Sequence, residues 1–95
     1  MTRQQTYRAI LDRFGNTMQT IVAIEEMSEL QKALAKYLRG LQYHDYADVL
    51  ANIREEIADV QIMLDQLRLI FDDGETIEKI IDEKLQRTVD RYLSE

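Results

Sequence analysis

The chain contains no proline, and its three glycines, Gly15, Gly40 and Gly74, fall far apart. Proline and glycine are the strongest local interruptions of a helical backbone, so a chain punctuated this rarely reads as a few long helices. The first is predicted from about Thr2 to Phe14 and ends at Gly15. Asn16 with Gln19 has the form of a capping box that starts the second, which runs to about Arg39 before Gly40. Leu41 to His44 is a short connection, and Asp45 is placed to cap the third helix. The stretch Asp72 to Glu75 forms the next loop, and Thr76 opens the fourth helix.

Apolar residues follow the helical period. In helix 2 they are Ile21, Val22, Met27, Leu30, Leu34 and Leu38. Helix 3 carries Val49, Ile53, Ile57, Val60, Leu64, Leu67 and Phe71, and helix 4 carries Ile77, Ile81, Leu85, Val89 and Leu93. Short connections make successive helices antiparallel, so the expectation is a single all-α domain over residues 1–95, a four-helix antiparallel bundle. A chain of this length buries only about 60 to 65% of the surface it exposes when unfolded. Helix 3 also carries Leu50, Ile62, Met63, Leu69 and Ile70 beyond its main stripe. Completion of the core by a homo-oligomer, a dimer or tetramer, is therefore expected, with the active site near the interface between protomers.

Charge and side-chain chemistry narrow the partners. The net charge of -6 disfavours duplex nucleic acid, whose binding rests on neutralising phosphates with Lys and Arg. No run approaches the roughly 20 apolar residues that span a bilayer, and Met1 to Phe14 lacks the apolar centre of a signal peptide, so the expected location is the cytoplasm, without membrane contact. With no cysteine and one histidine, any metal must rest on carboxylate oxygens, which suit Mg²⁺ or Mn²⁺.

Two acidic clusters supply such oxygens, Glu25-Glu26-Met27-Ser28-Glu29 on helix 2 and Glu55-Glu56-Ile57-Ala58-Asp59 on helix 3. Residues three apart project from one helical face, so Glu26 pairs with Glu29 and Glu56 with Asp59. In an antiparallel hairpin, residues equidistant from the turn lie level. Glu29 with Glu56, and Glu26 with Asp59, share a midpoint between Gln42 and Tyr43, so the four acids meet at one height beside apolar residues. Acid runs on helices are usually solvated faces. Four carboxylates crowded at an apolar seam, however, repel one another and lose hydration unless a divalent cation compensates them. A di-iron bundle is excluded as the source, because it needs Glu-x-x-His and His44 has Leu41 three residues before it.

These motifs resemble those of the MazG-like branch of the all-α nucleoside triphosphate pyrophosphohydrolases, marked by Glu-Glu-x-x-Glu and, one helix later, Glu-x-x-Asp. The similarity extends through AIEEMSELQKAL and REEIADVQIMLDQL to the closing EKLQRTVDRY. It implies that Glu26, Glu29, Glu56 and Asp59 hold Mg²⁺, with Glu25 as an accessory acid and candidate general base. It also implies that nucleoside triphosphates are hydrolysed to monophosphate and pyrophosphate. Lys84 and Arg91, seven apart on helix 4, resemble phosphate contacts, and they equally suit a solvated stripe pairing with Asp82, Glu83 and Asp90. One position departs from the family: Thr88 stands four residues after Lys84, where an Asn is frequent.

Two alternatives remain at this level. The phosphoribosyl-ATP pyrophosphohydrolase branch shares the architecture but typically has Asp-Leu-Leu-Tyr-His, where this chain has Asp59-Val60-Gln61-Ile62-Met63. A catalytically silent helical interaction module would use its acids only for solubility. Tyr37, Tyr43 and Tyr46 cluster near the predicted turn, where they can pack or stack on a base.

Overall fold

The structure, a computed structural model, describes residues 1–40 and 47–94. All regular structure among the described residues is helical: α1 (Arg3–Phe14), α2 (Asn16–Arg39), α3 (Ala47–Phe71) and α4 (Thr76–Thr88), which continues into a π-helical turn (Val89–Leu93). None of these helices is long and apolar enough to cross a membrane. The expected turn residues Leu41, His44, Asp45, Tyr43 and Tyr46 lie outside the described residues.

Local chemistry accounts for most helix ends. Thr2 accepts a hydrogen bond from the Gln5 backbone at 3.1 Å, while the Gln5 side chain accepts one from the Thr2 backbone at 2.9 Å, closing a capping box on α1. Gly15 separates α1 from α2 with φ of +89°, a conformation that L side chains rarely adopt. The capping box expected at Asn16 and Gln19 does not form. Asn16 is already the first residue of α2, and the Gln19 side chain turns inward to a buried partner. The α4 start is held by Asp73, which accepts from the Glu75 and Thr76 backbone N–H groups and from the Thr76 hydroxyl. Those bonds favour the charged carboxylate and lower its pKa to about 2.

Helices α2 and α3 pack along their length as an antiparallel pair, and α1 lies against both. Along the seam the covered positions include Gln19, Ala23, Glu26, Leu30, Ala33 and Tyr37 of α2 and Ile53, Glu56, Val60, Met63, Leu67 and Ile70 of α3, with the buried Gln66 beside them. Both lines alternate steps of four and three, the 3.5-residue period of knobs-into-holes packing. This seam differs from the expected stripes, since Ile21, Leu34 and Leu38 of α2 and Ile57, Leu64 and Phe71 of α3 are exposed. Small residues explain the shift: Ala23 and Ala33 let the backbones approach, and the long aliphatic chains are displaced to the flanks.

α4 behaves differently. It leaves α3 at the Asp72–Glu75 connection, is anchored there by the Arg68–Glu78 ion pair, and buries no residue. The radius of gyration is 17.0 Å. A compact chain of this length has about 12 Å.

Candidate metal centre

The register of the α2–α3 pair is fixed by a buried bond. Gln19 Nε2 donates to Gln66 Oε1 at 2.8 Å, with both side chains almost wholly out of solvent. Gln66 in turn donates to the Met63 sulfur at 3.7 Å. Gln19 and Gln66 are equidistant from the midpoint between Gln42 and Tyr43, the same midpoint expected from the acids. Seven residues along α2 from Gln19, about 10 Å of rise, the next level of the seam is occupied by carboxylates.

Glu26 of α2 and Glu56 and Asp59 of α3 each place a carboxylate oxygen within 4.8 Å of the others. Glu26 and Glu56 are seam residues in their own right, occupying core positions of the 3.5-residue pattern, and Asp59 lies one turn on at the flank. Glu56 Oε2 is buried and has no hydrogen-bond partner among the described residues. Burial raises the Glu56 pKa above the ordinary carboxylate value, and the charges of Asp59, Glu26, Glu29 and Glu55 push it further the same way. A buried oxygen with no donor, facing two further carboxylates, is an arrangement that costs free energy as it stands. A hard divalent cation fits it, because oxygen donors satisfy Mg²⁺ or Mn²⁺ and the cation's charge reverses the mutual repulsion.

The remaining expected site residues lie elsewhere. Glu29 is exposed, 3.6 Å from Lys32, and outside the three-oxygen group, although its charge acts on Glu56. Glu25 is exposed, a quarter-turn around α2 from Glu26. Lys84 and Arg91 line a hollow on α4 with Arg87, Thr88 and Tyr92, formed entirely by that helix and its π turn, so they are not joined to the acids. Tyr37 is half-buried in the seam.

Two polar pairs went unread in the sequence. One is Gln19 with Gln66, detectable only by extending the carboxylate register two turns toward the helix ends. The other is Tyr7 with Asp65, where the Tyr7 hydroxyl donates at 2.8 Å to a carboxylate that also accepts from Gln61 at 2.9 Å. The acceptor Asp65 holds the Tyr7 proton and raises its pKa. This pair joins α1 to α3, and neither residue belongs to a local motif.

No family model, curated protein or solved structure matches this chain.

Proposed function

We propose that this chain is a Mg²⁺-dependent nucleotide pyrophosphohydrolase, with Mn²⁺ as a substitute ion, that cleaves nucleoside triphosphates to monophosphate and pyrophosphate. The supporting observation is Glu56, a seam carboxylate with a partnerless buried oxygen facing Glu26 and Asp59. A silent module has no use for such an arrangement, because replacing the acid with an apolar residue of similar size would relieve it. The motif resemblance supplies the substrate class and the bond cleaved.

In this reading Glu26, Glu56 and Asp59 hold the ion, and Glu29 joins them by leaving Lys32. A bound Mg²⁺ would neutralise charge on phosphate oxygens and lower the pKa of a water at the site. Hydrolysis would form a bond from that water's oxygen to phosphorus and break the bond to the oxygen bridging the α and β phosphates, releasing monophosphate and pyrophosphate. The water's proton passes to an acid not engaged by metal, a role proposed for Glu25, which lies exposed beside Glu26. Lys84 and Arg91, exposed on α4 and apart from the acids of their own chain, are proposed to meet the outgoing phosphates from a neighbouring protomer.

The test is a panel of nucleoside triphosphates with Mg²⁺, assayed separately for pyrophosphate and orthophosphate, with Glu56→Gln as the matched control. Pyrophosphate release that disappears in the variant supports the reading. Orthophosphate release, no release across the panel, or near-normal activity in Glu56→Gln refutes it.

A further inference from the structure

The flank of the α2–α3 pair that carries the acids also carries cations. Glu25, Glu29, Lys32 and Lys36 each stand one residue before a seam position of α2, and Glu55 and Asp59 each stand one before a seam position of α3. Because the helices are antiparallel, that step turns all six to the same side of the pair. Toward the Arg39 end of α2, acids on this flank give way to the two lysines.

Helical spacing leaves Glu29 one positive neighbour and Lys32 one negative neighbour. The residues three and four away from Glu29 are Glu25, Glu26, Lys32 and Ala33, and those around Lys32 are Ser28, Glu29, Ala35 and Lys36. The structure joins the two: Lys32 Nζ lies 3.6 Å from a Glu29 carboxylate oxygen. Repulsion from Glu25 and Glu26 acts together with attraction to Lys32, which keeps Glu29 out of the three-oxygen group while its charge still reaches Glu56. The pair is weak. Its side chains are 75% and 52% exposed, and ion pairs in that setting contribute little net stability. A stronger competitor for either partner therefore opens it. Phosphate is such a competitor for the lysine, because the ammonium has three donors and a phosphate offers several anionic oxygens.

We infer that Lys32 couples nucleotide binding to ion coordination: it holds Glu29 aside until a phosphate of the nucleotide takes the lysine, which frees Glu29 to complete the carboxylate set. The two exchanges support each other. Once Lys32 is taken, Glu29 sits beside Glu25 and Glu26 with no cation of its own helix in reach, so its charge is best compensated at the ion site. Moving Glu29 there in turn releases the lysine for the phosphate. By linkage, phosphate and ion then each tighten the other's binding. The inference rests on the hydrolase reading and adds to it a residue that lies outside both the three-oxygen group and the acidic motifs.

The experiment is calorimetric titration of the whole chain with Mg²⁺ and no nucleotide. The proteins are wild type, Lys32→Gln, Lys36→Gln, Glu29→Gln and the double variant of Glu29→Gln with Lys32→Gln, each checked for helix content by circular dichroism. Lys36 is a like charge on the same flank, seven residues from Glu29 and beyond its helical neighbours, so it reports the general effect of removing a lysine. Lys32→Gln should bind Mg²⁺ about two- to fivefold tighter than wild type, the strength of an exposed pair, and Lys36→Gln should leave the affinity nearly unchanged. In the Glu29→Gln background, Lys32→Gln should do no more than Lys36→Gln does in wild type. With nucleoside triphosphate and Mg²⁺ the sign reverses: Lys32→Gln should raise KM about tenfold, and Lys32→Arg should restore it. If wild type binds no Mg²⁺, the metal reading falls and the inference with it. If wild type binds Mg²⁺ but Lys32→Gln binds it no tighter, or the gain persists in Glu29→Gln, or KM is unmoved, the inference alone falls.

Discussion

Glu56→Gln separates the metal reading from a purely structural one. The substitution keeps the shape of the side chain, removes its charge and adds an amide donor between Glu26 and Asp59. Without divalent ions, the folded-state pKa of Glu56 lies above its ordinary 4.5. The stability contributed by its proton is fully present below that ordinary value and is lost as pH rises through the raised one. Metal-free wild type should therefore melt lower than Glu56→Gln at neutral pH, and the gap should close toward pH 4.5. Adding Mg²⁺ reverses the order. At an ion concentration about 100 times Kd, linkage stabilises the folded state by about 2.7 kcal/mol. For a domain of this size each kcal/mol moves Tm by about 4–8 °C, so wild type should rise by roughly 10–20 °C. The variant should scarcely move. Melts followed by circular dichroism, at fixed protein concentration and with chelator as the zero point, measure both differences. Equal Mg²⁺ responses in the two proteins, or a metal-free wild type more stable than the variant at neutral pH, would refute the reasoning.

Glu26→Gln should also lose the Mg²⁺-linked rise in Tm, whereas Glu29→Gln should lose only part of it, because Glu29 must leave Lys32 to join the ion; calorimetric titration of the two variants distinguishes them. Gln66→Ala should cost about 2–4 kcal/mol, combining a cavity with an unsatisfied Gln19 amide, and urea unfolding reads it as a lower midpoint with helix content retained. Asp73 has the opposite linkage to Glu56: its pKa is depressed from 3.8 to about 2, so its contribution is present above 3.8 and lost as pH falls toward 2. Asp73→Asn should accordingly flatten the acid limb of the stability profile over that interval, and an unchanged limb would remove the carboxylate from the α4 start.

The helix boundaries were legible because glycine acts locally: Gly15 needs positive φ and Gly74, at +103°, needs it too. The level of the acids was legible because an antiparallel pair has a single midpoint, and Gln19 with Gln66 obeys the same one. Hydrophobicity alone misplaced the seam. Where backbones approach closely, the contact favours alanine and well-paired amides over leucine, so Leu34 and Leu38 were given a role that Ala33 fills. The spacing of Gln19 from Asn16 suits a cap, yet the distant Gln66 amide is its partner. The direction of α4 depends on Arg68 and Asp72 meeting residues of the next helix, which no periodicity encodes.

The glutamine pair also governs which wrong structures remain accessible. Both helices repeat every 3.5 residues, so the easiest error is a slide by one heptad, which keeps apolar positions facing apolar positions. A slide one way would set Gln19 against Asp59, and a slide the other way would set Gln66 against Glu26; either leaves unmatched amides and disperses the three acids. In the native alignment the amides satisfy each other, and the carboxylates meet two turns away. One buried bond thus distinguishes the alignment that gathers the three carboxylates from heptad-shifted ones that disperse them. A chain with leucine at both glutamines would hold its helices as firmly, but would lose the means of telling the two alignments apart.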